Sequence, residues 1–342
     1  MSDKTRIGWS DATLNVANGC RAVSPGCDAC YARERTVPRF AAHPNPRVAA
    51  AYAGLVGADG AWTGRVNLRP DQLDYAYRWQ RPRAIFVAAQ GDLFYSGVPD
   101  TFIASVFAAA AHNPRHTFMI LTKRPGRARS LLTRDRDPFQ GMVRDAYATE
   151  RTVRRLVGSP DPDALPWPLP NVWLGTSVED QERAALRVPL LTATPAALRF
   201  LSCEPLLAPV DLAATGVNPF WCLGHGRPAR ECPNDKHLGR DGGIRWVIVG
   251  GESGPKARPM HPEWVRGIRD DCAAAGVPFF FKQWGAWAPL KQLPGTVTVA
   301  PSTGSTVVAG KTVFRVGAHR AGNILDGAVH EHAPPLSHEV TA

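Results

Sequence analysis

No run of about 18 apolar residues occurs in the 342-residue chain, so no membrane-spanning helix is expected. The opening MSDKTRIGWS lacks the apolar core of a secretory leader, so no secretory signal is expected. Cysteine is sparse, with seven residues unevenly placed, which argues against a secreted disulfide framework. The expected compartment is a reducing cytoplasm, where clustered thiols serve metals or catalysis. Neither an H-E-x-x-H zinc-protease signature nor a Ser-His-Asp pattern stands out, which sets a hydrolase low. Lysine is scarce as well: only seven of the forty basic residues are lysine.

What remains is a globular composition, 44% hydrophobic and 20% charged, with a net charge of +10. The positive charge is locally concentrated. Residues 123–155 hold ten Arg or Lys against four Asp or Glu. Such a segment is either a solvated arginine-rich helical face or an attractor for a nucleic acid or phosphorylated substrate.

Six short apolar runs recur: RAIFVAAQGD (83–92), HTFMILTKRP (116–125), NVWLGTSVED (171–180), LRFLSCEPLL (198–207), RWVIVGGESG (245–254) and VPFFFKQWG (277–285). Near-continuous apolarity over four to six residues means burial on both faces, as in parallel strands. Helix-like stretches separate them, and HPEWVRGIRDDCAAAG has good signals at both ends, Pro262 and Gly276. The alternation predicts an α/β fold with a parallel sheet, a complete or partial (β/α) TIM-type barrel over residues 1–286. Residues 213–243, rich in Gly, Pro and His, read as an insertion, and 287–342 as a small antiparallel β appendage ending in a frayed tail.

In such folds chemistry sits at the strand C-termini. Those ends carry Gln90, Gly91 and Asp92; Thr122, Lys123 and Arg124; Ser177 and Glu179; Ser202 and Glu204; Gly250, Gly251, Glu252 and Ser253; Lys282 and Gln283. Ordinary loop solubility would also put polar residues there. Lys123 and Arg124 suit a carboxylate or phosphate, and Arg258 completes the rim with them. Paired glycines 250 and 251 let backbone approach a ligand, with Glu252 and Ser253 beside it, or make a tight strand-to-helix turn. Glu204 and Lys282 are candidate catalytic groups, or a structural ion pair between neighbouring strands.

The densest signal is NVANGCRAVSPGCDACYARER (15–35), in which Cys20, Cys27 and Cys30 are spaced C-x6-C-x2-C. Three thiols cannot pair off, and a structural zinc site uses four ligands. Three thiolates favour a [4Fe–4S] cluster with one iron left open. Zinc completed by a distant residue and three unbound cysteines are the other readings. Cys203 and Cys272 read as packed core thiols. Cys222, His225, Cys232 and His237, spaced C-x2-H-x6-C-x4-H in the insertion, either hold one zinc or lie in a loop without metal.

A three-cysteine loop ending C-x2-C-Y at the start of an α/β chain resembles the radical S-adenosylmethionine enzymes. The whole chain is similar to a phage-associated family named after phage gene products 37 and 68. The motifs are WSDATLNVANGC, VSPGCDACYA, GDLF, LTKRP, WLGTSVED, FLSCEPLL, WVIVGGESGPKARPM, PFFFKQWG and AGNILDG, in order over most of residues 9–327. The commonest radical-enzyme loop has three residues between its first two cysteines; here there are six. The resemblance implies a [4Fe–4S] cluster on Cys20, Cys27 and Cys30, S-adenosylmethionine on its open iron, and reductive cleavage to a 5′-deoxyadenosyl radical. It implies a low-potential electron donor such as flavodoxin or ferredoxin. Gln90, Gly91 and Asp92 would meet the cofactor's amino group, and Thr122, Lys123, Glu179 and Gly250 to Ser253 would line its site. Tyr31, the amides near Gly26 and Trp9 would shield the cluster. The substrate expected is a nucleobase, nucleoside or nucleic acid. The alternative is a zinc-dependent nucleic-acid-binding protein without redox chemistry.

Overall fold

The computed structural model describes residues 5, 7–133, 138–149, 161, 164–222, 227–228 and 242–340. Each apolar run becomes a strand, and one more precedes them. In the main sheet these are β1 (Ala12–Leu14), β2 (Ala84–Val87), β3 (Thr117–Thr122), β4 (Val172–Ser177), β5 (Leu198–Cys203), β6 (Ile244–Gly250) and β7 (Phe279–Gln283). They lie side by side in chain order, and every adjacent pair is parallel. The sheet curls into a half-barrel. β1 and β7 are its two ends and do not pair with each other, so the complete barrel is set aside in favour of the partial one.

Helices follow the strands: α1 (Asp100–Ala111), α2 (Pro125–Leu132), α3 (Pro138–Thr149), α4 (Gln181–Thr192) and α5 (Pro262–Ala275). Asp180 caps α4 by accepting the amide of Arg183 at 2.9 Å. The α5 signals behave as the sequence predicts. His261 caps the first turn with Pro262 behind it, and Gly276 ends the helix in the left-handed region.

Period-two alternation divides the strand residues between two cores. Ile85, Val87, Phe118, Ile120, Leu174, Leu201, Val247 and Val249 pack against helix residues such as Ile103, Val188, Val265 and Ile268. Phe86, Met119, Trp173, Phe200, Trp246, Ile248 and Phe280 face the other way, into a cluster that takes no residue from α1 to α5. This is the concave side, filled by aromatic rings. Trp9 belongs to it, 4.7 Å from the Phe86 ring and 6.2 Å from Trp246. The lumen therefore has a solid aromatic floor, and any site must lie above it, at the strand C-termini.

The appendage is a three-stranded antiparallel sheet, β8 (Trp287–Pro289), β9 (Ser305–Val308) and β10 (Lys311–Arg315), with β10 in the middle. The segment just before the expected frayed tail (333–342) pairs with the sheet, and Ser337 within that tail is anchored as well. Phe281 donates its amide to the His330 carbonyl at 2.7 Å, and His332 donates to the Phe279 carbonyl at 3.2 Å. Ser337 then reaches Thr117, donating its amide to the hydroxyl at 3.1 Å. The free edge of β7 offered unpaired backbone groups, and residues 330–332 satisfy them. Among the described residues no helix is long and apolar enough to cross a membrane.

Candidate metal centre

The chain leaves β1 through Asn15 to Gly19 and enters the cysteine loop directly above the sheet. Gly19 donates its amide to the Gln90 carbonyl at 3.2 Å, so the loop is sewn to the exit of β2 from its first residue. Tyr31, just past Cys30, donates its hydroxyl to the Ala89 carbonyl. Arg124, after β3, donates to the Arg21 carbonyl at 2.8 Å. The loop is thus tied at both ends to the strand termini where the sequence places the chemistry.

Cys27 is buried at 8% exposure, while Cys20 and Cys30 are half-buried. All three lie on the one loop between β1 and Tyr31, within eleven residues of one another. Burial, with Asp92 adding to it, pushes the Cys20 thiol up to about 12. Burial raises Cys30 too. Both are neutral thiols at pH 7 in the chain without metal, so a metal would have to displace their protons. Among the described residues no three His, Cys, Asp or Glu side chains converge as around a single ion. Cys203 and Cys272 sit fully buried in the core between sheet and helices.

The rim residues fall at the expected end of the sheet, and most are engaged with one another. Asp92 is buried and accepts from the Phe94 amide at 3.0 Å, the Thr122 hydroxyl at 2.7 Å and the Lys123 amide at 3.0 Å. It fastens the exit of β2 to that of β3. Gln90 accepts the Tyr52 hydroxyl at 2.6 Å. Glu179 is completely buried and lies between two cations, Lys123 at 2.9 Å and Arg187 at 2.8 Å. It also accepts the Ser24 hydroxyl at 2.7 Å. Burial works to raise its pKa, but Lys123, Arg187 and Ser24 together outweigh that and hold it below the ordinary carboxylate value.

Glu204 and Lys282 do make an ion pair, at 2.8 Å, but not between neighbouring strands: β6 lies between β5 and β7, and the pair reaches across its exit, with Ser202 donating to Glu204 at 3.2 Å. Glu252 is gripped by Arg258 through two side-chain hydrogen bonds, 2.6 and 2.9 Å, and by its backbone amide at 2.8 Å. Ser253 accepts from Gln283 at 3.0 Å.

The open side of Gly251 faces protein. A β-carbon there would stand 1.9 Å from the Trp284 carbonyl oxygen, so the glycine serves the approach of the β6 exit to the β7 exit. Gly251→Ala is accordingly expected to destabilise the fold by about 3 kcal/mol, since a backbone oxygen cannot swing away as a side chain can. The urea midpoint checks this; an unchanged midpoint would mean that the two exits are less tightly apposed. Trp9, expected near the cluster, lies in the lumen floor instead, because its ring is drawn into the aromatic core.

Two residues at this rim carry weight that the sequence did not announce. Arg187 comes from α4, where a helical periodicity count treats it as one more surface arginine. Ser24 lay inside the cysteine motif but had no visible partner until Glu179, 155 residues away, was brought to it. In the insertion, His225, Cys232 and His237 lie outside the described residues. Of Cys222 only the backbone is described, paired with Arg227.

Comparison with known families fits the continuous architecture. A family model described as a protein of unknown function, DUF5131, matches residues 4–334. The chain belongs to the DUF5131 family. The match runs from before β1 to the segment that pairs with β7, so cysteine loop, half-barrel and appendage all belong to the family unit. No curated protein and no solved structure shows significant similarity to the chain.

Proposed function

We propose that this DUF5131 chain is a radical S-adenosylmethionine enzyme in which Cys20, Cys27 and Cys30 ligate three irons of a [4Fe–4S] cluster. The observation that carries the reading is the placement of the three thiols. They come from one loop, which hydrogen bonds of Gly19, Arg21 and Tyr31 tie to the carboxyl ends of a parallel half-barrel, and they stand apart from Cys203 and Cys272 in the core. A cubane cluster separates its cysteine sulfurs by roughly 6–7 Å, so it calls for thiols that surround a space without touching. When bound, such a cluster supplies an open iron for the amino and carboxylate groups of S-adenosylmethionine and the electron that cleaves its sulfonium.

The chain's own residues would then orient and shield. Asp92 holds the β2 exit rigid beneath the loop, with one carboxylate oxygen accepting the Lys123 amide. Burial first, then the charges of Cys30 and Glu204, hold the Tyr31 hydroxyl above its ordinary value. The aromatic floor keeps water from entering from below.

The proposed substrate is anionic, of the nucleotide or nucleic-acid class. Exposed Arg21, Arg35 and Arg47 surround the cysteine loop in sequence with no carboxylate partner among the described residues. An open cavity of about 450 Å³ beside the loop is lined by Arg33, Arg35 and Lys256 together with Glu34 and Asp59. Exposed guanidinium groups such as those of Arg21, Arg35 and Arg47 suit phosphate. The test is anaerobic reconstitution with iron and sulfide, then reduction in the presence of S-adenosylmethionine. Formation of 5′-deoxyadenosine is the expected result. A colourless chain that takes up zinc alone would favour a zinc-dependent nucleic-acid-binding protein instead.

A further inference from the structure

We propose that Glu179 and the Glu252–Arg258 pair form a two-jawed clamp on the turn Ser24–Asp28, and that its task is to fix Cys27. The turn is short and carries one thiol, on the three-residue 3-10 helix Pro25–Cys27. Its own backbone contributes two hydrogen bonds, Cys27 to the Ser24 carbonyl at 2.8 Å and Asp28 to the Pro25 carbonyl at 3.1 Å. Such a segment does not hold one geometry by itself.

Each jaw supplies what the turn lacks. On one side Glu179 accepts the Ser24 hydroxyl at 2.7 Å. Gly26 lies flush against the same carboxylate: a β-carbon there would come within 2.5 Å of its oxygen. On the other side the Arg258 guanidinium donates to the Pro25 carbonyl at 2.7 Å and to the Asp28 carboxylate at 3.2 Å. Glu252 fixes that guanidinium in a fork geometry which a lysine has no means to reproduce. Both carboxylates are buried and rooted at strand exits, Glu179 after β4 and Glu252 after β6, so the jaws inherit the rigidity of the sheet.

Three motifs far apart in sequence thereby become one device. In VSPGCDAC, Ser24 donates, Pro25 accepts and Gly26 gives way, while Glu179 of TSVED and Glu252 with Arg258 of GGESGPKAR do the gripping. The outcome is visible in the thiols: Cys27, inside the clamp, is the buried one, and Cys20 and Cys30, outside it, are half-buried. Glu252 and Arg258 are positioning residues in this account. Their purpose rests on the cluster reading above; the geometry of the clamp does not.

The test uses the metal-free chain, reduced and pulsed with iodoacetamide, with labelling of each cysteine followed by peptide mass spectrometry. In the wild type Cys27 should label most slowly of the loop trio. Glu252→Gln and Arg258→Lys should speed Cys27 labelling by about tenfold through local opening, while Cys203 and Cys272 stay protected as reporters of the global fold. Ser24→Ala removes one hydroxyl at the partly exposed loop and should speed Cys27 alone. Unchanged Cys27 labelling in all three variants overturns the clamp. So does a rise at Cys203 and Cys272 that parallels Cys27 in every variant, since the residues would then hold the fold and not the turn. Iron uptake is measured on the same samples. Should the wild type take up no iron while the labelling pattern holds, the clamp stands and the proposed function falls. Should iron load while labelling ignores the variants, the clamp falls alone.

Discussion

Replacing Cys27 by Ser is expected to remove most of the iron that the reconstituted chain would otherwise hold, from about four irons to fewer than about one. Cys27 is the loop cysteine with the least freedom, being buried on the turn between Ser24 and Asp28. A serine hydroxyl is a poor ligand to iron beside two thiolates, and among the described residues the two cysteines outside the loop lie in the core. Cys203 points into the core between sheet and helices, with Cys272 from α5 in the same core. Cys272→Ser is therefore expected to leave the iron content unchanged. Colorimetric iron and sulfide assays on the two variants decide the point. A full complement in Cys27→Ser would show that the trio does not hold the cluster.

The largest effect on stability is expected at Glu179. Its carboxylate is fully buried between Lys123 and Arg187. Glu179→Gln keeps the shape but leaves two cations facing an uncharged amide in a low-dielectric site. Breaking a buried pair from one side costs about 3–5 kcal/mol, more than the pair itself contributes. The pH dependence follows from the depressed pKa. The stabilisation is complete above the unfolded-state value, roughly 4.3, and is lost as pH falls through that value toward the lower folded-state one. Urea denaturation from pH 7 down to pH 3 should show a steep loss in the wild type, and a lower, flatter profile in Glu179→Gln. Equal slopes would mean that the carboxylate is not charged in the fold.

Much of this architecture was legible in the sequence because parallel strands buried on both faces leave unbroken apolar runs. Phe279–Gln283 and Thr117–Thr122 could be read without any partner. β1 could not be singled out, since Ala12–Leu14 is three residues long and its strand character comes from pairing with Ile85 to Val87. The pairing of residues 330–332 was hidden for the same reason: they carry no apolar run, and what orders them is the unpaired edge of β7.

The candidate site shows the same division. Cys20, Cys27 and Cys30 announce themselves by local spacing, and the rim residues by following buried runs. What each rim residue does is set by partners distant in sequence. Gly251 looks like a ligand loop until the Trp284 carbonyl is placed against it. Arg258 reads as one more residue completing the rim until its reach to Pro25 is known, 233 residues away.

The most direct test of a cluster with an open iron is the electron paramagnetic resonance spectrum of the reduced, reconstituted chain, recorded with and without S-adenosylmethionine. Three-cysteine ligation with one free corner predicts a [4Fe–4S] signal whose g values shift when S-adenosylmethionine is added. A signal unmoved by S-adenosylmethionine, or a chain that binds zinc and no iron under the same conditions, would contradict it.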